Sequence, residues 1–215
     1  MRKLFPLFSG LNMKLMVIFF ALTSYTVFAK GFVPSSFSAN FEETLNSVTG
    51  KVKKSFGKID YKFPGHLRFE VTNPTPLLFV VNPKKTWYFQ PSVIKGEPDE
   101  VTVQKSSNLP LIKFLDSVKD GIENSKLFSA KYEKNDLTLT FVPTIRKEMG
   151  FEEVTLHATT DSKLISSISG FERITLKNVN KSKTSIKLID LKENVSFSID
   201  HFQFKPTPGT KIKDL

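Results

Sequence analysis

A chain of 215 residues, with hydrophobic residues at 40% and charged residues at 24%, is globular in composition and long enough to bury a substantial core. It contains no cysteine, which excludes disulfides, thiolate chemistry and a lipid anchor on a cleaved N-terminal cysteine. The formal charge of +10 favours anionic partners such as phospholipid headgroups or acidic protein patches, and the basic and aromatic residues are too dispersed for a nucleic-acid reader.

In chain order, the first element is an export signal. Arg2, Lys3 and Lys14 are basic, Leu15 to Leu22 is apolar, and Val27-Phe28-Ala29 fits a cleavage site after Ala29. The apolar run is short for the ~20 residues of a spanning helix. Residues 1–29 are therefore expected to be a removed signal peptide, with residues 30–215 as one exported domain. Removing 1–29 takes away three cations and no acid, so the charge falls from +10 to +7.

Most of the remainder alternates with period two. Ile59, Tyr61 and Phe63 alternate with Lys58, Asp60 and Lys62, and Leu67, Phe69 and Val71 with His66, Arg68 and Glu70. Leu77 to Val81 is continuously apolar, and Trp87 to Gln90 is a run of mostly aromatic residues. Alternation returns at Leu137–Phe141, Val154–Ala158 and Ile174–Leu176. Turn signals such as Pro64-Gly65, Asn73-Pro74, Asn82-Pro83 and Asn135-Asp136 separate these runs. The pattern predicts a mainly β protein, an antiparallel sandwich or barrel of about 11 strands. One segment breaks it: Leu111, Phe114, Leu115 and Val118 recur at helical spacing, with Pro110 at the start and Gly121 at the end. This short helix is expected to cover the sheet, either as plain core or as a movable lid.

Chemistry-bearing patterns are missing. His66, His157 and His201 are far apart, lack partners at metal-ligand spacing and read as solvent-facing strand positions. Glu152 and Glu153 are adjacent on a strand and point to opposite faces. No catalytic residue, metal or cofactor is expected. The 21 Phe, against 4 Tyr and 1 Trp, point instead to a large core or an apolar cavity.

Several stretches together resemble the LolA family of periplasmic lipoprotein carriers. They are Ser36-Phe37-Ser38-Ala39-Asn40-Phe41-Glu42-Glu43, then Gly57, then Phe63-Pro64-Gly65-His66-Leu67-Arg68-Phe69-Glu70 with Asn73-Pro74. Trp87-Tyr88-Phe89-Gln90-Pro91, Pro110-Leu111-Ile112 and the closing Phe202-Gln203-Phe204-Lys205-Pro206-Thr207-Pro208-Gly209-Thr210 follow in the family's order. The resemblance covers most of 36–215. It implies an unclosed, strongly curved β-barrel with short covering helices around an apolar pocket for lipoprotein acyl chains. It also implies a monomeric carrier, loaded by an inner-membrane ABC complex and emptied by an outer-membrane lipoprotein receptor.

On that basis Phe69, Val71, Phe79, Trp87 and Phe89 are expected to line the pocket, and Leu111, Ile112 and Phe114 to form the lid. Ordinary core packing is the competing reading for each. Phe202 and Phe204 are expected to close the sheet. Two departures stand out. The family places an arginine that helps latch the lid where this chain has Phe63, and cleavage after Ala29 leaves little room for the family's helix before the first strand. The alternative function is a periplasmic lipid- or lipoprotein-sensing domain of the same fold that does not shuttle cargo.

Overall fold

A computed structural model describes residues 31–105, 109–123 and 125–215. The expected signal segment lies outside these residues.

Six strands form the first half: β1 (Ser36–Asn46), β2 (Val52–Lys62), β3 (His66–Asn73), β4 (Leu77–Val81), β5 (Lys85–Gln90) and β6 (Glu100–Lys105). Helix α1 (Pro110–Ser117) follows, then β7 (Phe128–Glu133), β8 (Asp136–Phe141), helix α2 (Pro143–Met149), β9 (Phe151–His157), β10 (Arg173–Asn178), β11 (Lys183–Glu193) and β12 (Lys211–Asp214). All twelve strands join one open sheet in the order β12-β6-β5-β4-β3-β2-β1-β11-β10-β9-β8-β7. The sheet does not close into a barrel. It is antiparallel except at β12, which runs parallel to β6.

The period-two pattern sets which face is buried. One row across the sheet joins Phe37, Tyr61, Leu67 and Val81, and the next joins Ala39, Ile59, Phe69, Phe79 and Tyr88. On the other half of the sheet the same face carries Ile186, Ile174, Leu156 and Leu137, a row across β11, β10, β9 and β8 that meets β1 at Glu43. All point to the concave side, and most are buried there with α1 in one continuous core. Gly57 lies in this face because a Cβ there would collide with the Glu70 carbonyl and the Phe41 ring. Its absence lets Phe41 stack on Phe69 at 4.2 Å.

Helix α1 begins with Pro110, whose missing N–H has no helical partner to lose. It ends at Ser117, short of the expected Gly121. Helix α2 was not expected from the sequence. Its markers are nonetheless present, with Pro143 in the first turn and Gly150 left-handed at φ +77 as the cap.

The other face of the first half is covered by the C-terminal segment. Ser36 Oγ donates to the Val195 carbonyl at 2.8 Å, His201 Nε2 lies 2.8 Å from Oδ2 of buried Asp60, and Asn82 donates to the Phe202 carbonyl at 3.0 Å. Phe204 packs on Phe89 at 4.9 Å. Phe202 and Phe204 therefore do not extend the sheet. They seal its convex side, and the last strand is β12.

Candidate functional site

The concave face is only partly filled. At the end of α1 that carries Phe114 and Asp116, side chains occupy the space. Phe114 is fully buried and meets Phe151 edge-on at 6.4 Å, and Phe151 in turn meets Phe141. Toward the N-terminus of α1 the packing opens. A hollow of about 230 Å³ lies between Leu109, Pro110 and Leu111 above and Leu67, Phe69, Phe79, Leu176 and Ile186 below. It adjoins a second space of about 390 Å³ that shares Glu43, Phe69 and Phe79 and reaches Leu45, Val71, Leu77 and Tyr88. The second volume alone falls within the ~300–1,000 Å³ usual for ligand clefts. A larger hollow, about 580 Å³, lies elsewhere, beside Phe32, Tyr132 and Ile165. Asp120 and Glu123 also line it, which suits an apolar chain poorly.

Phe69, Val71 and Phe79 stand on the open part of the concave face, and Leu111 overhangs it. Ile112 and Phe114 are buried in the core beside it. Trp87 and Phe89 need correction. Trp87 pairs with Val80 and Phe89 with Leu78, so both point to the convex side. The residue of β5 that faces the hollow is Tyr88, opposite Phe79. An unbroken aromatic run carries no phase, so its facing could not be read from sequence.

The fastening of α1 is the feature the sequence reading missed. Tyr61 Oη donates to Asp116 Oδ1 at 2.6 Å, and the Gly65 N–H donates to Asp116 Oδ2 at 3.1 Å. One carboxylate thus ties the end of α1 to the β2–β3 hairpin. Burial raises the Asp116 pKa, while Tyr61, Gly65 and His66 pull it back. Burial, reinforced by Asp116, drives the Tyr61 phenol far above its ordinary range. Phe63 is exposed, with Lys119 Nζ 5.9 Å from its ring centroid.

Glu43 is the one acidic group lining both parts of the hollow. Burial raises its pKa, and Lys53 partly offsets the shift. The histidines are engaged rather than simply solvent-facing. His157 bridges Asp136 and Thr175 at 2.9 Å each, His66 Nδ1 lies 2.7 Å from the Pro64 carbonyl, and His201 holds Asp60. Among the described residues no group of three or more His, Asp or Glu is placed to hold a metal.

Comparison with known proteins adds three findings. A family model described as "Outer membrane lipoprotein carrier protein LolA" matches residues 34–205. Proteins named outer-membrane lipoprotein carrier protein are similar to this chain. One from Legionella pneumophila (strain Paris) is 24% identical over 178 residues, 81% of each chain, and one from Pseudoalteromonas translucida is 27% identical over 183 residues, 83% of this chain and 81% of its own. A crystal structure of a LolA superfamily protein from Nitrosomonas europaea is 14% identical, covers 81% of this chain and 93% of its own, and superposes with a TM-score of 0.45.

Proposed function

The chain belongs to the LolA family, and on that premise we propose that it is an exported periplasmic carrier that holds lipoprotein acyl chains in the hollow beneath α1. The observation that carries this reading is the unfilled apolar space between Leu109–Leu111 and the Leu67, Phe69 and Phe79 floor, continuous with a wider space toward Val71 and Leu77. Phe69, Val71 and Phe79 are its floor, and Leu111 is the part of the lid that touches cargo. Residues 1–29 serve as the export signal and 30–215 as the carrier domain.

The energetics suit a shuttle. An acyl chain in water costs about 0.8 kcal/mol per methylene, so one long chain demands roughly 10 kcal/mol of cover. Contacts with Phe and Leu supply it without directional bonds, and cargo leaves when a receptor offers a better apolar site. In this reading an inner-membrane ABC complex loads the carrier and an outer-membrane lipoprotein receptor empties it.

Native mass spectrometry of the protein isolated from periplasm tests the proposal, together with exchange of a fluorescent fatty-acyl probe. A co-purifying lipoprotein and saturable probe binding are expected. A clean apo mass with no probe exchange overturns carriage and leaves a sensing or interaction role.

A further inference from the structure

We infer that the open end of the hollow is a docking rim for an anionic phospholipid surface. Two turns frame this end. The β1–β2 hairpin, with its flanks, is Asn46-Ser47-Val48-Thr49-Gly50-Lys51-Val52-Lys53-Lys54, and the β10–β11 turn is Lys177-Asn178-Val179-Asn180-Lys181-Ser182-Lys183. Between them they carry six lysines and no acidic residue. They are neighbours, because Val52 pairs with Asn46, Asn46 with Lys183, and Lys183 with Lys177 across four adjacent strands. The same strands line the hollow, through Leu45 and Lys53 on one side and Asn178 and Thr184 on the other.

Exposed apolar side chains sit among these cations. Val48 is 67% exposed, Val52 60% and Val179 47%. The β5–β6 turn at the same end adds exposed Val93 and Ile94, with Lys95, Glu97 and Asp99 and, at the start of β6, Glu100, which accepts from Lys213. Lysines often guard the outer strands of a sheet, but β1, β2, β10 and β11 are interior strands with partners on both sides, so these lysines protect no edge. Nearby acids leave the rim basic. Glu152 pairs with Lys181 at 2.7 Å and Lys177 at 3.7 Å, Glu42 approaches Lys54 at 3.9 Å, Glu153 stands opposite Lys177, and Glu43 lines the hollow. Lysines interleaved with exposed valines match the charge and the shallow apolar layer of an anionic membrane interface. Among the described residues no helix is long and apolar enough to span a membrane.

The inference takes the role of the hollow from the carrier reading and adds where its mouth points: onto the bilayer, where acyl chains enter or leave without crossing open water. Co-sedimentation of the exported full chain with phosphatidylglycerol–phosphatidylcholine vesicles, against phosphatidylcholine alone, tests it. Binding to the anionic vesicles that weakens in high salt is expected. Combining Lys51→Gln, Lys54→Gln and Lys183→Gln should lower vesicle partitioning on the order of a hundredfold, about fivefold per lysine. Fluorescent acyl-probe affinity should be unchanged in that variant. Equal binding to neutral and anionic vesicles, no vesicle binding, or capture only by an acidic protein overturns the inference. If vesicles bind but the probe does not, the carrier reading fails and the docking rim stands.

Discussion

The Tyr61 hydroxyl donates a 2.6 Å hydrogen bond to Asp116, joining the middle of the sheet to the helix that covers it. Asp116 spends its second oxygen on the Gly65 N–H, so a single carboxylate bridges two elements 51 and 55 residues away in sequence. Replacing Tyr61 with Phe keeps the ring packing against Phe37 and removes only the donor. A hydrogen bond to a charged group contributes about 1.5–3 kcal/mol. Tyr61→Phe should lower stability by that order and speed amide hydrogen exchange in residues 110–118 more than in β8 and β9. Uniform acceleration across the chain would show that the bond supports the whole fold and not the seating of α1.

Glu43 provides a pH test. Burial raises its pKa above the ordinary glutamate value, so the folded protein holds this proton more tightly than the unfolded chain does. Its contribution to stability therefore falls as pH rises from the unfolded value through the raised folded one. Glu43→Gln should remove that slope and be more stable than the parent at neutral pH. An apolar chain lying beside Glu43 excludes further water and favours the protonated form. Probe affinity should accordingly rise as pH falls toward the ordinary carboxylate range, and should not do so in Glu43→Gln. Titrations of both proteins by probe fluorescence decide the matter.

The two faces of β4 and β5 should separate binding from stability. Phe79 faces the hollow and Trp87 the convex side. Phe79→Asp places a charge where an acyl chain would lie and should abolish probe binding. Trp87→Ala should cost about 1–3 kcal/mol of stability and leave probe affinity within a factor of a few. Loss of binding in Trp87→Ala, with the fold intact by circular dichroism, would move the site to the other face.

Helix α1 offers a similar division along its length. Phe114 is fully buried, and Phe114→Ala should destabilise by about 3–5 kcal/mol, as other buried aromatics do. Leu111 is half-buried at the hollow. Leu111→Asp should lower probe affinity while the denaturant midpoint stays close to that of the parent. If Leu111→Asp unfolds the chain, Leu111 belongs with Phe114 as core.

Alternation made most of the sheet legible, because one face of β2, β3, β8, β9 and β10 is apolar and the other wet. Leu77–Val81 is continuously apolar and forms β4, as its pattern predicts. Alternation could not assign the faces of Trp87–Gln90, because Tyr88 meets Phe79 on the inner face while Phe89 packs on Phe204 on the outer one, so the code has no polar half. The covering segment lies more than a hundred residues away, and local pattern does not report such a contact. The helix was legible from Leu111, Phe114 and Leu115, but its fastening was not, since Asp116 reads as an ordinary polar-face residue and Tyr61 as one more strand aromatic. Phe63 drew notice as a departure, while the bond that holds the helix starts two residues earlier.

In a closed barrel, strand number and shear together fix the radius, and a change of girth requires breaking a ladder. Here β7 and β12 end the sheet without meeting, so no such hoop exists. The rear of β1 to β6 is braced by the C-terminal strap, whereas the β7 to β11 side is joined to that half through the β1–β11 ladder and through α1. A change of curvature in this open sheet therefore requires no ladder to break, and α1, held to the β2–β3 hairpin by Asp116, lies across the side that would widen.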